Sequence, residues 1–166
     1  MTPYRICFVC LGNICRSPMA AAILRQRLVA EGLDGAVRVE SAGTGGWHVG
    51  EGADRRAVAA LARRGLDGRH VAQQFTPADF DRHDLVVALD ASNQTDLLRL
   101  APSAEARAKV RLLRTFDPAA GDHTDVPDPY YGTAADFDRV AEVVEAACDG
   151  LVAHARAAVA GSAGPR

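Results

Sequence analysis

A nine-residue loop set between a buried strand and a helix start constrains this chain more than anything else in it. Cys10-Leu11-Gly12-Asn13-Ile14-Cys15-Arg16-Ser17-Pro18 follows the apolar run Ile6-Cys7-Phe8-Val9 and leads into Pro18-Met19-Ala20-Ala21-Ala22-Ile23-Leu24. The apolar run reads as a buried parallel strand and the alanine-rich segment as a helix. In a loop between a strand's carboxyl end and a helix's amino end, the N–H groups can turn inward. With the first orphan N–H groups of the helix they form a nest for a phosphate-sized anion. Gly12 is expected to relieve the strain of such a turn and Asn13 to tolerate a left-handed backbone. Ser17 is expected as the helix N-cap and Pro18 at the first helical position. There is no Gly-Lys-Ser/Thr, as an ATP-binding loop would have; a cysteine opens the loop and an arginine closes it.

That chemistry points to a nucleophile. A thiol facing amide dipoles, a helix amino end and a guanidinium is expected to ionise readily, because each favours the thiolate. Arg16 offers a planar fork that matches two phosphoryl oxygens. The expectation is a site that binds a phosphate ester through Leu11, Gly12, Asn13, Ile14, Cys15, Arg16 and Ser17, and attacks its phosphorus through Cys10. The plain alternative is that Cys10 is a small buried hydrophobe.

At 166 residues, 48% of them hydrophobic, the chain suits one α/β domain over residues 1–160, with a flexible polar tail at 161–166. The net charge of −2 and the lack of a basic block point away from nucleic acid and membrane surfaces. No run would span a bilayer and the amino end lacks a signal-peptide pattern, so cytoplasmic residence is expected. Of the four cysteines, Cys7, Cys10 and Cys15 crowd the first strand and its loop, so no disulfide framework is expected. Cys7 and Cys10 would lie roughly 10 Å apart along a strand rising about 3.3 Å per residue, beyond disulfide reach. Cys7 and Cys148 read as core. No Cys/His spacing suggests a metal site, and no cofactor is implied.

Cys10 to Met19 resembles the signature loop of the low-molecular-weight protein tyrosine phosphatases, and the likeness extends over nearly the whole chain. The resemblance implies a cysteine-dependent phosphomonoesterase on a doubly wound sheet of four parallel strands, in the order 2-1-3-4, flanked by helices. Its partners would be phosphotyrosine proteins as substrates and inorganic phosphate or other oxyanions in the loop, with the chain a monomer or weak homo-oligomer. In the family a second cysteine protects the nucleophile in a reversible disulfide, and Cys15 matches it; the alternative is a small residue pointing into the core. Arsenate reductases and protein arginine phosphatases share the loop pattern. The former keep further thiols where residues 80–100 here contain no cysteine, and the latter carry threonine at the place of Ile14. A non-enzymatic phosphate-binding module of similar topology is the remaining reading.

Strands are expected at 2–9, 37–42, 85–89 and 110–113, and helices at 17 to about 30, 54–64, 92–100 and from about 133. In the helix over 54–64, Ala57, Val58, Leu61 and Ala62 would form the buried face; in the last, Phe137, Val140, Val144, Ala147, Leu151 and Ala155 would. Trp47, set among glycines, reads either as a structural anchor or as a wall of the site stacking on an aromatic leaving group; the resemblance favours the wall, with His48 beside it. The resemblance ties His70 to Asn13 in support of the loop, and the Ser17 hydroxyl is expected to donate to the Cys10 sulfur from behind it. Asp90, at the carboxyl end of the third strand, reads equally as a helix cap and as a site residue. Residues 117–132 form a long irregular connection, and loops of that length are frequently functional. They contain Asp128-Pro129-Tyr130-Tyr131, which the resemblance makes the general acid Asp128 and an aromatic cleft wall, while Asp122 and Asp125 lack that context. With Cys10 ionised and Asp128 protonated for the first step, a mildly acidic optimum is expected for small aryl phosphates.

Overall fold

A computed structural model describes residues 2–162 of the protein. The chain runs through β1 (Tyr4–Cys10), α1 (Arg16–Ala30), β2 (Val37–Gly43), α2 (Arg55–Ala62), α3 (Asp79–Arg82), β3 (Leu85–Ala88), α4 (Ala91–Leu100), α5 (Ala104–Ala108), β4 (Val110–Leu112), a 3-10 turn (Leu113–Phe116) and α6 (Ala134–Ser162). The strands pair in the order β2-β1-β3-β4, all parallel. Parallel neighbours need crossover connections, and helices on both faces supply them.

Strand alternation divides the core. Ile6, Phe8 and Cys10 of β1 point to one face of the sheet, where Met19, Leu24, Phe137, Val144 and Leu151 of α1 and α6 cover them. Cys7 and Val9 point to the other, packing with Val86, Ala88, Phe75, Phe80 and Leu97. Both central strands are buried on both sides, which is why they read as unbroken apolar runs. The six α6 residues expected on one stripe are all buried. That helix runs on through Gly161 and Ser162, so the first two residues of the expected tail are helical; residues 163–166 lie outside the described residues.

Local details differ from the sequence reading. Helix α2 buries Ala57, Ala60 and Leu61, while Val58 is 37% exposed. Ala57, Ala60 and Leu61 fall at i, i+3 and i+4 and face α1 and α6, which leaves Val58 and the exposed Ala62, each one position further round, at the edge of that stripe. Helix α1 starts one residue earlier than expected, with Cys15 in the capping position and its carbonyl accepting from the Met19 N–H at 3.2 Å. Pro18 is therefore the third helical residue, and Ser17 makes no cap. Among the described residues no helix is long and apolar enough to cross a membrane.

Candidate active site

The carboxyl ends of β1, β2 and β3 share one edge of the sheet. The parallel register sets Cys10 beside Gly43, and Val9 beside Ala88. At that edge the chain changes direction across β1, since β2 lies on one side and β3 on the other, and the crevice this creates is where open α/β sheets bind ligands.

The loop after β1 is held by its carbonyls. The Cys10 carbonyl accepts from the Thr44 N–H at 2.9 Å, Leu11 from Gly45 at 2.8 Å, Ile14 from Asp54 at 2.8 Å and Cys15 from Met19 at 3.2 Å. The Asn13 carbonyl accepts from His70 Nε2 at 2.7 Å. In a trans peptide the C=O and the following N–H point opposite ways. Every carbonyl tied outward thus turns an N–H inward: those of Leu11, Gly12, Ile14, Cys15 and Arg16. Among the described residues none of the N–H groups of Leu11 to Cys15 has a protein acceptor. The absence of a side-chain cap on α1 fits this arrangement, because a capping oxygen would compete for the helix's own orphan donors.

Asn13 supplies the turn. Its φ of 57° is the left-handed value, whereas Gly12 is not left-handed. The glycine serves a different need: a Cβ there would stand 3.1 Å from His48 Cδ2. Gly43 is the more demanding position, since its Cβ would fall 2.7 Å from the Leu11 carbonyl oxygen and 3.0 Å from the Asn13 nitrogen. Beneath the loop the Asn13 side chain is fully buried. Its Oδ1 accepts from the Gln73 N–H at 2.9 Å, and its Nδ2 donates to Ser17 Oγ at 2.8 Å and Ser41 Oγ at 3.0 Å. Ser17 Oγ lies 2.9 Å from Cys10 Sγ and 3.4 Å from the Ala42 carbonyl. Because Asn13 already fills an acceptor site on that hydroxyl, its own proton is free for the closer sulfur.

The side chains of Asn13 and Ser17, expected both in the phosphate loop and as its support from behind, are buried behind it. The cleft, about 300 Å³, is lined by Cys10, Leu11, Gly12, Ile14, Cys15, Arg16, Trp47, His48, Asp128, Tyr130 and Tyr131. Burial pushes the Cys15 thiol up to about 12, helped by the negative charge of Asp54, so it stays protonated. Cys7 and Cys148 are buried in the core, and all four cysteines are free. Trp47 is not an anchor: it is 72% exposed, with its ring lying over Gly45, where any Cβ would collide with it. His48 is half-buried and pairs with Glu51 at 2.5 Å. Tyr130 and Tyr131 meet edge to face at 5.0 Å, Tyr131 almost wholly exposed.

Arg16 is 3% exposed and rigidly held. Its Nη1 donates to Asp90 Oδ2 at 2.7 Å and to the Val126 carbonyl at 2.9 Å. Its Nη2 is left toward the cleft, with Asp128 Oδ2 at 3.7 Å. Burial alone would weaken the guanidinium's hold on its proton, but the Asp90 hydrogen bond and the charges of Cys10, Asp90 and Asp128 more than offset it. The two roles weighed for Asp90 are both filled, one by each oxygen: Oδ1 caps α4 by accepting from the Asn93 N–H at 2.7 Å while Oδ2 holds Arg16. Asp128 is half-exposed across the cleft, with Oδ1 accepting from the Tyr130 N–H at 3.1 Å. Burial lowers the pKa of His70, so the ring is neutral and carries its proton on Nε2, where it donates to Asn13. Among the described residues no group of three or more His, Cys, Asp or Glu side chains is arranged to hold a metal ion.

Sequence reasoning missed Ser41, Gln73 and Gly43. Ser41 left a trace, being a serine where the alternation of Val37 and Val39 calls for another buried apolar residue. Gln73 left none, because it acts through its backbone N–H.

The profile of the low molecular weight phosphotyrosine protein phosphatase family matches residues 5–160, and the chain belongs to that family. It is 56% identical over 161 residues to a low molecular weight protein-tyrosine-phosphatase of Streptomyces coelicolor, covering 96% of this chain and 98% of that one. Among solved structures it resembles a protein tyrosine phosphatase of Entamoeba histolytica with Hepes in the active site, at a TM-score of 0.89 and 33% identity, covering 93% of this chain and 98% of that chain. It also resembles the YwlE arginine phosphatase with a phosphorylated active-site serine, at a TM-score of 0.81 and 30% identity, covering 92% of this chain and 95% of that chain.

Proposed function

We propose that the protein hydrolyses phosphotyrosine in proteins, and small aryl phosphates, through a phosphocysteine at Cys10. The observation that carries this reading is the ring of amides turned inward beside Cys10 by carbonyls tied outward, closed by the immobilised fork of Arg16. These donors suit the nonbridging oxygens of a phosphoryl group and stabilise the charge that builds there as the bond to sulfur forms. Arg16 and the amides supply the positive charge that the expected metal-independent reaction needs.

In the first step the Cys10 sulfur attacks phosphorus in line, the ester P–O bond breaks, and Asp128 gives its proton to the departing tyrosyl oxygen. In the second, Asp128 takes a proton from water, water oxygen bonds to phosphorus, and the P–S bond breaks to return the cysteine and inorganic phosphate. The Ser17 hydroxyl at 2.9 Å stabilises the leaving sulfur anion. Trp47, Tyr130 and Tyr131 form apolar walls for an aromatic ester, and His48 lines the same rim. The fold does not separate this reading from arginine dephosphorylation, since a YwlE structure superimposes well. What favours phosphotyrosine is the apolar Ile14 in the cleft lining, at the place where the sequence resemblance puts threonine in arginine phosphatases.

The test compares release of phosphate from phosphotyrosine and phosphoarginine peptides in chelator and reductant. Phosphotyrosine turnover that Cys10→Ser abolishes and Asp128→Ala lowers by about a hundredfold is expected. Preference for phosphoarginine would overturn the substrate, and activity in Cys10→Ser would overturn the mechanism.

A further inference from the structure

Asp125 lies three residues before Asp128 in the long connection between the 3-10 turn and α6. Residues 121–125 and 127–128 of that connection are exposed; packing holds it through the buried Val126 and Pro129, on either side of the exposed pair that carries the acid. Ahead of the acid, hydrogen bonds tie the connection to the sheet edge and to α4. Asp125 Oδ1 accepts from the Ala91 N–H at 2.8 Å, at the first residue of α4, and also from the Thr124 hydroxyl at 3.3 Å. The Asp125 carbonyl accepts from Arg114 Nη1 at 3.1 Å. The next residue, Val126, donates its N–H to the Leu89 carbonyl at 2.8 Å and offers its own carbonyl to Arg16 at 2.9 Å.

The amino end of α4 therefore carries two carboxylates from different parts of the chain. Asp90 takes the Asn93 N–H and orients Arg16 with its other oxygen; Asp125 takes the Ala91 N–H and holds the loop that bears Asp128. We infer that Asp125 is a positioning residue for the general acid, and that the first turn of α4 is a common mount fixing the distance between Arg16 and Asp128. The inference rests on the phosphatase reading, with Asp128 as its acid. Misplacing a proton donor by a fraction of an ångström slows the step that needs the proton and spares one that does not.

The test uses two esters and two variants of the full chain. Phenolate is a poor leaving group that needs the acid; para-nitrophenolate leaves with little help. Asp125→Ala removes the acceptor. Ala91→Pro removes the donor while putting proline at the first helical position, where it is tolerated, behind an Asp90 already extended at φ −151°. Each variant is expected to lower kcat/KM for phenyl phosphate by about tenfold, and for para-nitrophenyl phosphate by less than about twofold. Asp125→Asn, which keeps an acceptor oxygen, is expected to stay near wild type on both. In an Asp128→Ala background neither variant should cause a further selective loss, because the group it positions is gone. Equal losses on the two esters, a selective loss that persists without Asp128, or no loss in either variant would overturn the inference and leave the phosphatase reading standing. Wild-type protein that hydrolyses neither ester would overturn that reading itself.

Discussion

Replacing Asn13 by alanine removes two contributions that the structure allows to be separated. The first is conformational: at φ 57° a residue other than glycine, asparagine or aspartate costs about 1–2 kcal/mol. The second is the buried Asn13 Oδ1, whose loss leaves the Gln73 N–H without its acceptor at a cost of about 1–3 kcal/mol. Asn13→Ala is therefore expected to destabilise by about 3 kcal/mol, read from urea unfolding with an unchanged slope. Asn13→Gly restores the backbone conformation but not the hydrogen bonds, and frees the unfolded chain, so it should be more stable than the alanine variant by only about 0.5–1 kcal/mol. Both should lose most of their activity, because Ser17 is then free to turn its proton from Cys10 Sγ to the Ala42 carbonyl. An alanine variant within about 0.5 kcal/mol of wild type, or more stable than the glycine variant, would refute the reasoning.

Other consequences follow from the same contacts. Asp90→Ala should lose about 1 kcal/mol with its helix cap, a further cost of up to about 3 kcal/mol from leaving the buried Arg16 without its carboxylate, and about tenfold to a hundredfold in kcat/KM as Arg16 loosens. Asp90→Asn should regain the cap but neither the charge beside Arg16 nor the activity, and full activity in either variant would contradict the clamp. Oxidation of Cys10 to a sulfenic acid beside the protonated Cys15 should yield a disulfide and water, which shields Cys10 from further oxidation; after prolonged excess peroxide, activity should return with dithiothreitol in wild type, while Cys15→Ser goes on to the thiol-resistant sulfinic acid, and equal recovery would rule the pairing out. His70 is held below its ordinary 6.5 by burial, so in the unfolded chain it takes up a proton first. Its contribution is thus complete above pH 6.5 and is lost as pH falls toward the lower folded value. Between about pH 7 and about pH 5.5 the urea midpoint should fall more in wild type than in His70→Gln, and equal falls would contradict the assignment.

The sequence made the sheet and its rim legible because both are local patterns. Unbroken apolar runs mark β1 and β3 as doubly covered, and a loop wedged between strand and helix can hardly avoid presenting amides to the crevice. Ser17 misled only as a cap: its hydroxyl lies 2.9 Å from the Cys10 sulfur, as expected, while the cap position falls on Cys15, because serine suits both tasks and the sequence does not say where the helix begins. Val58 misled because it stands one position, about 100°, round from the Ala57-Ala60-Leu61 stripe that α1 and α6 cover. Gly43, Ser41 and Gln73 reach the loop from 28 to 60 residues away, through close approach, strand register and a backbone N–H, and of these only Ser41 left a trace, as a break in the alternation of β2. Asp125 was passed over for want of a motif, and its function lies in the helix end it meets in space.

The most direct measurement is intact-protein mass spectrometry of the enzyme quenched during turnover of para-nitrophenyl phosphate, followed by peptide mapping. A single phosphoryl group is expected on Cys10 in wild type, accumulating further in Asp128→Ala, where water lacks its base, and absent in Cys10→Ser. Phosphate release with no phosphoryl group on the protein in either active form, or with the group on another side chain, would contradict the phosphocysteine on which the mechanism stands.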